Sequence, residues 1–112
     1  MRYFDISNGL RGCYMPDNAF ILAVKTRRDL MRAIASECSD MREAFGFGGT
    51  KREIARTVAL VWREYKKPGR AFYPYAIGFG RSRDSSDRPF GVFIGYSSRT
   101  EYLEWMKQNE NN

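Results

Sequence analysis

The side chains best placed to do chemistry in this chain are cations. Between Thr50 and Lys67, TKREIARTVALVWREYKK, Arg52, Arg56, Arg63, Lys66 and Lys67 recur at helical intervals. At about 100° per residue they fall within an arc of roughly 100°, with no acid among them. Ile54, Val58, Val61, Trp62 and Tyr65 fall in a sector on the opposite side. Such a helix buries one face and offers the other to phosphate or carboxylate. A second basic element lies at Gly80–Arg88, GRSRDSSDR, where Arg81, Arg83 and Arg88 are flanked by Phe79 and Phe90. Basic residues interleaved with aromatics suit nucleic acid, cations following phosphates and rings stacking on bases. The plainer reading of both elements is a solvated face, the usual role of a charge run. For the helix, the segregation of its cations weighs against that reading.

Catalysis has much less to use. There is no histidine, and neither Cys13 nor Cys38 lies beside a candidate base in sequence. With no Cys-x-x-Cys pair and no EF-hand spacing, no metal site and no cofactor is expected. Asp84 and Asp87 sit among Arg81, Arg83 and Arg88, where balancing charge is a simpler role than acid–base work. Cys38 falls on an apolar stripe and reads as a reduced core thiol. The pattern points to stoichiometric binding without turnover, so no catalytic residue is assigned.

The net charge of +6 extends this reading to the whole chain, and 14 of the 19 basic residues are arginine. An arginine bias favours planar, bidentate contact with phosphate or carboxylate. It is also what a GC-rich genome produces. A hydrophobic content of 43% supports a real core, and 112 residues suit one domain spanning 1–112. No run approaches a membrane span, and the N-terminus lacks an apolar signal-peptide core, so the default expectation is a cytoplasmic protein with no membrane partner.

The elements that must hold these cations can be read in order. Arg2–Ile6 suggests a short strand or arm, and Asn8-Gly9 and Arg11-Gly12 signal turns. Ala19–Val24, AFILAV, is a continuous apolar run and predicts a buried strand. Thr26 and Asp29 have the spacing of a helix cap, and Leu30, Ile34, Cys38, Met41 and Phe45 predict a first helix over 27–45. Its polar face, with Arg28, Arg32, Glu37, Asp40 and Glu43, is mixed in sign and reads as structural. Gly46-Phe47-Gly48-Gly49 stops that helix, as a simple turn or as an anion-binding nest beside Lys51 and Arg52. Thr50 and Glu53 cap the second helix, and Pro68-Gly69 ends it.

Ala71–Phe79 is strand-like, with Pro74 suggesting an edge or a bulge. Pro89–Tyr96 is a second strand, and the two make an antiparallel hairpin with a long basic loop. Ser98 and Glu101 open a short C-terminal helix over Tyr102–Met106, with Gln108–Asn112 expected to fray. The fold class is therefore α+β: a small antiparallel sheet of three or four strands, with two longer helices and a short C-terminal one packed on one face. The oligomeric state is not legible.

Arg88–Tyr96, RPFGVFIGY, resembles the RNP1 signature of RNA-recognition motifs. It has Pro89 in place of glycine and an extra residue before Phe93, and two consecutive helices between strands do not match that fold, so no RNP1 role is carried over. In size, lack of catalytic groups and arginine–aromatic composition, the whole chain resembles the small orphan proteins of phages and plasmids, the anti-CRISPR class among them. That resemblance implies a protein that occupies a surface on a nucleic-acid-processing complex. At +6 the chain departs from acidic DNA mimics and would dock on acidic protein or on bound nucleic acid. Two readings follow: a basic module engaging nucleic acid or a nucleoprotein complex, or an anti-CRISPR-like inhibitor whose arginines pair with carboxylates. A basic amphipathic helix can also lie on anionic membrane, but this one needs Ile54, Val58 and Trp62 for a core.

Overall fold

The computed structural model describes residues 1–10, 19–45, 49–66, 75–81 and 89–110. Four strands, β1 (Arg2–Leu10), β2 (Ala19–Val24), β3 (Tyr75–Arg81) and β4 (Pro89–Tyr96), form one antiparallel sheet in the order β2-β1-β4-β3. Three helices complete the fold: α1 (Arg27–Phe45), α2 (Lys51–Arg63) and α3 (Arg99–Glu110). The α+β class is as the sequence predicts. The first and last strands meet in the middle of the sheet, and the two sequence-adjacent pairs lie at its flanks.

Side chains alternate across a strand, and the two sheet faces have different covers. Phe4 and Ile6 of β1, Ile77 of β3 and Val92 and Ile94 of β4 are buried in one cluster with Leu30, Ile34, Cys38 and Met41 of α1 and Ile54, Val58 and Val61 of α2. The other face carries Tyr3, whose ring lies 5.5 Å from that of Tyr102 on α3. So α1 and α2 share one face as expected, while α3 departs from one-sided packing and sits across the sheet. Its side of the sheet also buries Ile21 and Phe93.

Three caps start the helices as their spacing predicts. Thr26 and Asp29 bond reciprocally, at 3.2 and 3.3 Å. Thr50 Oγ1 accepts from the Glu53 N–H at 3.1 Å, and Ser98 Oγ from the Glu101 N–H at 3.1 Å. Each satisfies backbone donors that a helix start leaves without a partner. Gly49 has φ 79°, the left-handed region glycine enters freely, and its carbonyl accepts from Arg42. Gly46, Phe47 and Gly48 lie outside the described residues.

Four expectations are corrected. Asn8-Gly9 is not a turn: β1 runs through it, pairing Asn8 with Val92 and Gly9 with Gly91, while the Asn8 amide donates to Glu37 of α1. Tertiary pairing overrides the local turn signal. Ala19–Val24 is an edge strand and only Ile21 and Val24 are buried in it, although its run is apolar because α1 lies over one face and α3 over the other. The second helix ends at Arg63, with Glu64 as its C-cap. Helix α3 continues to Glu110, the Asn109 amide donating 2.8 Å to the Trp105 carbonyl, so Gln108–Glu110 are helical where fraying was expected, while Asn111 and Asn112 lie outside the described residues. Pro74 is not among the described residues, but β3 is an edge strand with a register shift between Ile77 and Gly80.

Candidate nucleic-acid interface

Helix α2 positions the candidate cations by burying its other side. Ile54, Val58 and Val61 are in the core, and Trp62 and Tyr65 pack against it. That leaves Arg52, Arg56 and Arg63 exposed on the outward face. At about 1.5 Å of rise per residue, Arg56 lies about 6 Å along the axis from Arg52, and Arg63 about 16 Å. Ala55 is exposed and Ala59 half-buried on the same side. Their short side chains keep the surface low between the arginines, so a flat anionic backbone can approach. Arg63 pairs with Glu64 at 3.8 Å, but its side chain is 72% exposed. A pair this open is worth little and does not withdraw the guanidinium from a partner.

The C-terminal end of α2 is locked by a residue sixty positions away. The Arg2 guanidinium sits 4.1 Å from the Trp62 ring centroid and 5.2 Å from that of Tyr65, and it donates to the Trp62 carbonyl. That carbonyl is one of the acceptors a helix end leaves free. Tyr65 completes the join: its hydroxyl accepts from the Tyr3 N–H at 3.1 Å and donates to the Ser97 carbonyl at 3.2 Å. Phe4, Trp62, Tyr65, Tyr75 and Tyr96 form a connected ring cluster at this end, with centroid distances of 5.2 to 6.4 Å. Phe4 is buried in the core and the other four rings are half-buried against it. The Tyr75 hydroxyl donates to Glu64; burial, and then that bond, push its ionisation well above the ordinary phenol range.

The structure brings together only part of the expected set. Arg52, Arg56 and Arg63 share the α2 face. Lys66 is exposed but lies past the helix end, off the arc, because the chain turns at Glu64 to bring Tyr65 into the ring cluster. Lys67, Arg83 and Arg88 lie outside the described residues, as do Asp84 and Asp87; Arg81 closes β3 opposite Pro89. Sequence reasoning missed Arg2, and no local signal could have found a contact at that separation.

No known family model, curated protein or solved structure matches this chain. Its chemistry therefore rests on its own side chains. Cys38 is fully buried, and burial, with the nearby Glu53 carboxylate second, pushes its thiol up to about 11. A thiol held protonated in the core is a poor nucleophile. Among the described residues no three His, Cys, Asp or Glu side chains converge to hold a metal ion, and no helix is long and apolar enough to cross a membrane.

Proposed function

We propose that this protein is a non-catalytic nucleic-acid-binding module whose primary contact is the outward face of α2. The observation that carries this reading is the row Arg52, Arg56, Arg63, exposed along about 16 Å of one helix face with small residues between. A duplex presents a charge about every 1.7 Å of its axis, so several phosphates fall within reach of that row. Arginine binds phosphate bidentately, which favours this surface over one built for solubility alone.

The test is charge reversal. Arg52→Glu, Arg56→Glu and Arg63→Glu together leave the thermal midpoint near that of the parent, since all three side chains are exposed, and abolish binding to labelled duplex. Retained affinity in a folded triple variant sinks the assignment.

A second reading is stoichiometric inhibition of a protein complex, in line with the anti-CRISPR-like resemblance. Leu103 and Met106 favour it, being 48% and 36% exposed on α3. An interface centred there depends little on salt and fails with Leu103→Asp, which leaves α2 untouched.

A further inference from the structure

On α1 the charges are segregated along the axis. Arg27, Arg28 and Arg32 occupy its first turns, just after Lys25, and all four are exposed. Glu37, Asp40 and Glu43 occupy its second half, with Arg42 among them.

Strand β1 acts as a ruler for where each half lies. Near one end Asn8 holds Glu37, from the second half of α1. At the other end Arg2 holds Trp62, from the last turn of α2. These anchors are six residues apart on the strand, about 20 Å. Arg2 also pairs with Val24, the residue from which the chain passes through Lys25 and Thr26 into α1. The first half of α1 and the last turn of α2 therefore share one end of the molecule, and the acidic half of α1 lies at the other. The two helices run antiparallel, with Arg42 of α1 bonded to Gly49 just before α2.

At this shared end two carboxylates of the described residues already have partners. Asp29 is engaged in the Thr26 cap, and Glu64 accepts from Tyr75 beside Arg63. Arg28 and Arg32 lie one turn apart on α1, both exposed, at the same end of the molecule as Arg63.

We infer that the basic surface continues from α2 onto the first half of α1, and that its ligand is a nucleic-acid duplex held by backbone phosphates, with the acidic half of α1 outside the footprint. This rests on the reading of α2 given above. Two helices side by side, about 8–10 Å apart, make a surface broad enough for a duplex. The described rings beside α2 pack against the core and one another, which disfavours a single strand, a ligand that gains affinity from stacking. Arg28 and Arg32 thus become binding residues.

The test measures the salt dependence of binding to a generic labelled DNA duplex between 50 and 200 mM NaCl, for the full chain and three variants. Contacts from Arg28, Arg32, Arg52, Arg56 and Arg63 predict a slope of about −4.5 in log K against log salt, a loss of about 500-fold over that range. Arg28→Gln with Arg32→Gln should lower the slope to about −2.7 and the loss to about 40-fold. Asp40→Asn with Glu43→Gln, outside the footprint, should leave the slope unchanged. A single-stranded oligonucleotide of the same length binds more weakly. If the Arg28/Arg32 variant keeps the parent slope while Arg52→Gln with Arg56→Gln lowers it, α1 is not part of the site and the extension is wrong. Tighter binding to the single strand overturns the duplex assignment. If the parent protein binds neither nucleic acid at 50 mM, the α2 reading falls as well.

Discussion

Replacing Arg2 by alanine tests the join between the sheet and the helix that carries the proposed site. Three interactions are lost at once. The guanidinium leaves the Trp62 ring at 4.1 Å and the Tyr65 ring at 5.2 Å, and the Trp62 carbonyl loses its donor. A half-desolvated cation over two rings is worth about 1–2 kcal/mol, and a hydrogen bond from a charged donor about 1.5 kcal/mol. Some of this returns as side-chain entropy and as water reaching the carbonyl, leaving about 2.5 kcal/mol. With an unfolding entropy of about 2.1 cal/mol/K per residue, the midpoint should fall by about 10 °C. Arg2→Lys separates charge from shape: it keeps the cation but loses the planar stack, and should cost about half as much. Urea unfolding followed by far-ultraviolet circular dichroism gives both values without relying on Trp62 as its own reporter. A cost below about 0.5 kcal/mol for Arg2→Ala, the size of an ordinary surface change, would show that the stack is not holding α2. A lysine variant equal to the parent would show that the planar geometry does not matter.

Two further outcomes follow from the same structure. Thr50→Ala removes the acceptor of the Glu53 N–H at the start of α2 and should cost about 1 kcal/mol, while Thr50→Asp restores it; equal stability of all three in urea would mean the cap is idle. Cys38 ionises near 9.0 when unfolded and near 11 when folded, so above pH 9 the unfolded chain holds fewer protons than the native one. Its contribution is complete below that pH and is lost as pH rises to 11, a decline of about 2–3 kcal/mol. Measured as the difference between the parent and Cys38→Ala across pH 8 to 11, the two stability curves should converge by that amount, and parallel curves would refute it.

What was legible in the sequence was what is decided locally. The caps at Thr26, Thr50 and Ser98 depend on a three-residue spacing, and the span of α1 on a 3.6-residue period, so both were read from short windows. The hairpin of β3 and β4 was legible because its strands are neighbours in the chain. The end of α2 was misread for a physical reason. Tyr65 continues the apolar sector of the wheel because it packs against Phe4 and Tyr96, but it gets there from non-helical backbone, and periodicity alone cannot tell the two apart. Asn8-Gly9 looks like a turn in isolation and is held extended by a partner strand more than eighty residues away. The Arg52, Arg56, Arg63 row was visible as a period. The stack of Arg2 on Trp62, and the choice of which half of α1 lies beside Arg63, are tertiary facts with no local signature.

The central claim, that the α2 face binds nucleic acid, is tested most directly by fluorescence anisotropy of a generic DNA duplex titrated with the protein at 50 and 200 mM NaCl. The proposal predicts binding at the lower salt that weakens about fortyfold or more at the higher, as expected for phosphate contacts from the three arginines of α2. Absence of binding at 50 mM, or affinity that is indifferent to salt, contradicts the account and directs attention to the exposed apolar residues of α3.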